Sequence, residues 1–136
     1  MAENETFTIS ELASQLDISA STIRFYEEKG LISPARTPGN QRVYNKKDRT
    51  RLKLILRGKH FGASLEQISE MIGFADSEIN EVSQIQKSLE YIEKRFKDIQ
   101  QKREELALFE KDLLALRDNL RKRHDELTAR KSKKGQ

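Results

Sequence analysis

Residues 19–44 read SASTIRFYEEKGLISPARTPGNQRVY, and this stretch decides how the rest of the chain is interpreted. Ser19 can cap a short helix, and Gly30 is placed to end that helix in a left-handed conformation. Residues 31–33 and 42–44 are predicted strands, because a turn rich in Pro, Gly and Asn separates them. The stretch therefore predicts a helix followed by a small hairpin. Its exposed basic and aromatic side would be formed by Arg24, Tyr26, Arg36, Arg42 and Tyr44.

A capped amphipathic helix is predicted before this stretch. Thr8 and Glu11 have the spacing of a capping box, and Phe7 and Leu12 stand at the positions of a hydrophobic staple. A three-residue break then separates this helix from the one that Ser19 caps, which is typical of a helix-turn-helix. The hairpin that follows is too small to be stable alone. We therefore expect it to pack against the helices as a wing.

Two more helices are predicted after the hairpin. Asn45 can cap the first, over residues 46–61, and Ser64 with Gln67 forms a capping box for the second. A solvated helix face usually mixes charges of both signs, whereas the outer side of the first helix has one acid, Asp48. We therefore predict that this helix contacts phosphates. Its outer basic residues are Lys46, Lys47, Arg49, Arg51, Lys53, Arg57 and Lys59.

From Glu78 onward the chain has long charged residues with spaced apolar ones, which over residues 82–99 fall alternately three and four positions apart, as is typical of a coiled coil. The strict alternation weakens beyond residue 99, and apolar residues continue over 106–120 with a slip of one residue. The pattern predicts one helix of about 40 residues, roughly 60 Å long. A preceding domain of this size cannot bury such a seam alone, so a second subunit is the expected partner, and a helix folded back within the monomer is the alternative. Residues 121–136 are expected to be a basic, disordered tail. The predicted dimerisation residues are Val82, Ile85, Leu89, Ile92, Phe96, Ile99, Leu106 and Leu113.

The composition narrows the function classes. The chain has no cysteine, which excludes disulfides, thiol redox switches and thiolate metal sites. His60 and His124 are too far apart in sequence to form a local metal pair, so no metal or other cofactor is expected. No apolar run approaches the roughly 20 residues needed to span a bilayer, and no signal peptide is visible, so a cytoplasmic protein without a membrane partner is expected. Basic residues concentrate in residues 24–60, which favours a polyanionic partner.

The second predicted helix is suited to the major groove of DNA. Ser21, Thr22 and Arg24 can reach base edges there, and Arg24 is best suited to a guanine. Phe25 is assigned to the core. Phosphate contacts, which set register rather than sequence, are assigned to Tyr26, Arg42, Tyr44, Arg57 and Lys59, with Arg36 on the same basic side. No enzymatic activity is expected, because the adjacent carboxylates of Glu27 and Glu28 diverge by about 100° on a helix and no phosphate-binding Gly-rich loop is present.

The segments TIRFYEEKGLISPAR, at 22–36, and NQRVY, at 40–44, resemble the signature of the MerR family of bacterial transcriptional regulators. The resemblance implies a mainly α fold with a winged helix-turn-helix DNA-binding domain over residues 7–76. Its wings would be the hairpin and the pair formed by the third and fourth helices. Residues 77–120 would be the dimerisation helix of an antiparallel coiled coil. One departure is that Asn40 and Gln41 replace the Gly-Tyr that usually precedes the wing arginine.

The function implied by the resemblance is a regulator that binds a palindromic promoter operator as a homodimer. Many members of the family bind promoters whose spacer between the two polymerase elements is overlong, and they bend and untwist that DNA so that RNA polymerase recognises both elements. Residues 48–59, DRTRLKLILRGK, are similar to those of regulators of branched-chain amino acid and acyl-CoA catabolism. The effector is unknown, and a small organic or acyl-CoA metabolite is the candidate. The alternatives are an architectural or excisionase-like DNA-bending protein without an effector-controlled switch, and a coiled-coil interaction protein with a non-nucleic partner.

Overall fold

A computed structural model describes residues 5–134 and is mainly helical, as the sequence predicts. The three short strands form one antiparallel sheet, in which the third strand of the chain lies between the first and the second. Two compact units divide the chain, residues 1–89 and residues 90–136. Among the described residues, no helix is long and apolar enough to cross a membrane. The elements are β1 (Thr6–Phe7), α1 (Ile9–Leu16), α2 (Ala20–Glu28), β2 (Ala35–Arg36), β3 (Arg42–Asn45), α3 (Lys46–His60), α4 (Leu65–Ile72) and α5 (Glu81–Lys134).

The helix starts follow the predicted caps. The Thr8 hydroxyl accepts the Glu11 N–H at 3.1 Å, and the Glu11 carboxylate accepts the Thr8 N–H at 3.4 Å, which confirms the capping box. Ser19 caps α2, and the capping box at the start of α4 is also present. Asn45 caps α3. The Asp48 carboxylate accepts the Asn45 N–H at 2.9 Å and completes a capping box that was not predicted from the sequence.

Gly30 ends α2 as predicted. Its φ is +78°, and its N–H donates to Glu27 O while the Leu31 N–H donates to Tyr26 O, both at 3.0 Å. These are the two bonds of a Schellman motif, which satisfies the last carbonyls of a helix. The motif turns the chain sharply, so Leu31 and Ile32 enter the core, where they are 2% and 1% exposed.

The strand predicted at residues 31–33 is therefore wrong. The wing strand is instead β2, in which Ala35 pairs with Val43 and Arg36 pairs with Arg42. The physical reason is that the Leu31 carbonyl accepts a bond from the Arg51 guanidinium rather than from a neighbouring strand. The strand β1 was not predicted from the sequence, because its two residues, which pair with Asn45 and Tyr44 of β3, are too few to give a periodic signal.

Arg51 is a core residue, which corrects its assignment to the outer side of α3. It is 1% exposed, and its Nε donates to Leu31 O at 2.7 Å. Its two Nη atoms donate to Ile72 O and Gly73 O at the end of α4. Burial lowers the pKa of the guanidinium, and the carboxylates of Asp48 and Asp76 oppose that shift. One side chain thus joins α3, the end of α4 and the segment after α2.

The helix α5 is longer than predicted. It extends over 54 residues to Lys134, so the disordered tail predicted at 121–136 is wrong for residues 121–134, and residues 135–136 lie outside the described part of the chain. No Gly or Pro interrupts residues 121–134, and Arg123 pairs with Glu126 one turn on at 3.4 Å. The first compact unit extends through Leu89, beyond the domain end predicted at residue 76, since the first turns of α5 pack on α4.

Candidate nucleic-acid interface

The predicted base-reading residues lie together on the outer side of α2. Ser21 and Arg24 are exposed and Thr22 is half-buried, while Ile23 is completely buried and fixes the orientation of the helix. Arg24 Nη2 lies 3.5 Å from Ser21 Oγ, one turn earlier. The Thr22 hydroxyl lies 2.8 Å from the hydroxyl of the capping residue Ser19, so it is partly engaged within the helix. Ser21 and Arg24 are therefore the more available polar groups.

Tyr26 and Phe25 have exchanged the places that the sequence analysis gave them. Tyr26 is 6% exposed and belongs to the core, and burial raises the pKa of its phenol. Phe25, predicted to be core, is 42% exposed. Successive residues of a helix are turned by about 100°, so Tyr26 shares the inner face with Ile23 three positions earlier, whereas Phe25 does not. That spacing was present in the sequence and could have identified Phe25 as a surface residue.

Tyr44 is fully buried, which corrects its assignment as a phosphate contact. Its exposed fraction is 0%, and its hydroxyl has no hydrogen-bond partner within residues 5–134. Burial raises the pKa of the phenol, and the nearby Glu27 carboxylate adds to that effect. Tyr44 pairs with Phe7 across β1 and β3, so its role is to hold the wing against the core rather than to reach DNA.

Replacing Tyr44 by Phe is expected to leave DNA affinity unchanged and the free energy of unfolding equal or up to about 1 kcal/mol higher. The reason is that the substitution removes a buried hydroxyl without a partner and keeps the ring. Fluorescence anisotropy with a bound promoter fragment and urea unfolding would measure the two quantities. A tenfold loss of affinity with unchanged stability would show that Tyr44 contacts phosphate after all. Arg24→Ala is the control, because it is expected to lose DNA affinity.

The wing arginines are tied to α2 by one carboxylate. Arg42 Nε donates to Glu27 Oε2 at 2.6 Å, and Arg36 Nη2 donates to Glu27 Oε1 at 3.4 Å. The Arg36 side chain is 40% exposed and the Arg42 side chain 28% exposed, so both keep surface for a further anion. Two guanidinium groups against one carboxylate leave a net positive charge at the junction. Glu27, which the sequence analysis discounted, therefore positions both arginines.

The exposed basic face of α3 contains fewer residues than predicted. Arg57 and Lys59 are exposed in its last turn, together with Lys46, Lys47 and Lys53 elsewhere on the helix. Arg49 is half-buried, with its guanidinium carbon 5.4 Å from the centre of the Phe7 ring. The sequence signal that separates Arg51 from its neighbours is its spacing, since Asp48, Arg51, Leu52 and Ile55 are all buried. They fall at i, i+3, i+4 and i+7 of one face.

The predicted seam of α5 is exposed along its whole length. Its members range from 42% exposed at Ile92 to 77% exposed at Val82. A polar face of the same helix is buried instead: Gln84 is 6% exposed, and Ser88 Oγ lies 3.7 Å from Met71 Sδ of α4. Within residues 5–134 there is no cluster of three or more His, Cys, Asp or Glu side chains that could hold a metal ion.

Comparison with protein-family models identifies two matching segments. The MerR HTH family regulatory protein model matches residues 7–75, which include α1, α2, the wing, α3 and α4. The MerR DNA-binding model matches residues 49–116, which begin in α3 and end within α5. The exposed face of α2 and the wing therefore lie within a segment that the family uses for its helix-turn-helix.

Individual relatives agree with the family models. The mercuric resistance operon regulatory protein of Bacillus cereus is 32% identical over 113 residues, covering 82% of this chain and 83% of its own. HiNmlR, a MerR family regulator lacking the sensor domain and bound to promoter DNA, is similar at 28% identity with a TM-score of 0.53, covering 77% of this chain and 78% of its own. The lead(II) complex of PbrR691 from Ralstonia metallidurans CH34 has a TM-score of 0.61 at 28% identity, covering 82% and 85%. With these matches and its helix-turn-helix, the chain belongs to the MerR family of DNA-binding transcriptional regulators.

Proposed function

We propose that the chain acts as a homodimer that binds a palindromic promoter operator and distorts the DNA to control transcription by RNA polymerase. The observation that carries this proposal is that one recognition helix, α2, is linked to a long helix whose apolar seam is uncovered. Two chains joined through α5 would present two copies of α2, and a two-fold symmetric protein requires a palindromic site. Base reading is assigned to Ser21, Thr22 and Arg24, and phosphate contacts to Arg36, Arg42, Arg57 and Lys59.

The distribution of buried and exposed residues around the start of α5 supports a second copy of the chain as the partner. Ser88 Oγ lies against Met71 Sδ of α4, Lys87 Nζ donates to Glu70 O at 3.0 Å, and Gln84 is buried beside Ser88. Ile85 and Leu89 each follow one residue later, are turned by about 100° from that face, and are exposed at 47% and 56%. A helix that buries its polar face and exposes its apolar face is suited to a partner on the apolar side.

The length and period of the seam favour the same helix of another subunit as that partner. One apolar row recurs every seven residues for most of the length of α5, which is the repeat of a left-handed coiled coil. We propose antiparallel pairing, for which the resemblance to the MerR family is the support. The members of the row are Ile85, Ile92, Ile99, Leu106, Leu113, Leu120 and Leu127.

Control of transcription by DNA distortion is proposed from the family and from its promoter-bound relative HiNmlR. A bent or untwisted operator costs deformation energy that the additional protein contacts must offset. The wing arginines held by Glu27 and the exposed basic residues of α3 supply positive charge on the phosphate-facing elements. The architectural alternative uses the same contacts to bend DNA without a change in transcription.

The effector that we propose for this chain is not a metal ion, unlike the mercuric and lead(II) ions named for two relatives. The chain has no cysteine, so the thiolate chemistry suited to mercuric ion or lead(II) is not available to its residues. We therefore propose a small organic or acyl-CoA metabolite as the candidate effector. Thermal unfolding with and without acyl-CoA tests this, since a ligand that binds the folded dimer raises its midpoint temperature.

Selection of bound genomic fragments followed by footprinting tests the proposed function. The expected footprint covers a near-palindrome. The affinity is expected to fall by about three orders of magnitude between 50 and 200 mM salt, because phosphate contacts release counterions from the DNA. Transcription from the footprinted promoter, measured with purified RNA polymerase, is expected to change when the protein is added. Bending without any change in transcription would favour the architectural alternative. Binding no tighter than to random DNA would contradict both.

A further inference from the structure

Phe25 lies on the outer face of α2, which also carries the exposed residues Ser21, Arg24 and Glu28. It stands four residues after Ser21 and three after Thr22, and residues at these spacings share one side of a helix. Arg24 flanks it, and Ile23 and Tyr26 point inward, where they are 0% and 6% exposed. If Ser21 and Arg24 face base edges, the ring of Phe25 faces them too. The inference that follows therefore rests on the proposed function of α2 as the recognition helix.

Two neighbouring side chains, those of Tyr26 and Lys29, lie close to the ring of Phe25. Its centre lies 5.6 Å from the centre of the Tyr26 ring, tilted by 59°. Lys29 Nζ lies 5.4 Å from the centre of the ring, which is a cation–π distance. These contacts leave the side chain 42% exposed. Contacts that restrict an aromatic ring before binding lower the conformational entropy that it loses on binding.

The chemistry of the ring limits what it can recognise. A phenyl group has no hydrogen-bond donor or acceptor, so it cannot bond to a phosphate oxygen or to the polar edge of a base. In the major groove, thymine is the base that presents an apolar group, its 5-methyl. We propose that Phe25 is a specificity-determining residue that recognises the 5-methyl group of a thymine in each half-site, beside the base contacted by Arg24.

Single replacements of thymine by uracil in the footprinted operator test this proposal, because uracil lacks only the 5-methyl group. With the full-length chain at fixed salt, one replacement in each half-site removes two methyl groups and is expected to weaken binding by about 15-fold, which is about fourfold for each buried methyl group. Phe25→Ala is expected to weaken binding to the thymine operator and to show no further loss on the uracil operator. Phe25→Leu, which keeps an apolar side chain, is expected to retain part of the discrimination.

Phe74→Ala is the matched control, since Phe74 is an exposed phenylalanine, 53% exposed, that lies outside α2. This variant should keep the full ratio of the affinity for the thymine operator to the affinity for the uracil operator. Circular dichroism and thermal unfolding of each variant establish that it is folded, and the conservative Phe25→Leu variant gives a readout if Phe25→Ala does not fold. A ratio that is the same in Phe25→Ala, Phe25→Leu and the unmodified chain would overturn the proposal and leave a contact with deoxyribose or a packing role. Absence of any specific binding would instead overturn the proposed function, and this inference with it.

Discussion

Replacing Leu89 and Ile92 together by Asp is expected to give a monomer that has lost operator binding. Both side chains are exposed in the single chain, at 56% and 42%, so the substitutions should not disturb its own core. In the proposed dimer, two carboxylates per chain would be buried in an apolar seam, which is far too costly for the pairing to persist. Each half-site domain would then bind alone, and loss of the linked second contact should weaken operator binding by about 100-fold or more.

Analytical ultracentrifugation would measure the mass of this variant, and fluorescence anisotropy would measure its operator affinity. The matched control is Gln101→Asp with Leu108→Asp, which adds the same charge to the same helix. Leu108 is 65% exposed and two residues from Leu106, so it is turned by about 200° from the seam. The control should remain a dimer with unchanged affinity. A Leu89→Asp, Ile92→Asp variant that still sediments as a dimer would refute the proposed interface.

Replacing Arg51 by Met is expected to lower the free energy of unfolding of the first unit by about 3 kcal/mol. The guanidinium is 1% exposed and donates to three carbonyl oxygens, those of Leu31, Ile72 and Gly73. Met fills much of the volume but donates nothing, so these buried carbonyls would lose their partner. Two of them end α4, and the third follows the recognition helix, so operator affinity should fall along with stability.

Urea unfolding at a fixed protomer concentration would measure this loss, because the stability of a dimer depends on concentration. Lys53→Met is the control, since Lys53 is exposed on the same helix and its replacement should change the free energy of unfolding by less than about 0.5 kcal/mol. Arg51→Lys should recover only part of the loss, because an ammonium group cannot match the fork of a guanidinium. Equal stabilities of Arg51→Met and Lys53→Met would refute the role given to Arg51.

Local sequence signals predicted local structure well. The caps at Thr8, Ser19, Asn45 and Ser64 were predicted from residue types at fixed spacing, because a cap bond joins residues three positions apart. The Gly30 stop was predicted for the same reason, since its positive φ is a property of one residue and its neighbours. The apolar pattern also predicted the helix α2 and the apolar row of α5.

Assignments that depended on residue type rather than position were less successful. Tyrosine was taken to be exposed and phenylalanine buried, yet Tyr26 and Tyr44 are core residues and Phe25 is exposed. Burying the large ring of a tyrosine stabilises the fold by more than burying its single hydroxyl costs. The position of the residue in its helix or strand then decides whether the ring is buried. Arginine was likewise taken to be a surface residue, although Arg51 is buried with its donors satisfied.

The sequence by itself determined that this chain has a helix-turn-helix, a wing and a long helix with an apolar seam, because periodicity, caps and turn residues act over a few positions. Only the tertiary structure decided which groups Arg42 and Arg51 bind. Arg51 is turned inward toward carbonyls 20 to 22 residues away, and Arg42 is held by Glu27 at a separation of 15 residues. Hydrogen bonds between residues so far apart leave no spacing in the sequence, because the fold that brings the partners together must form first.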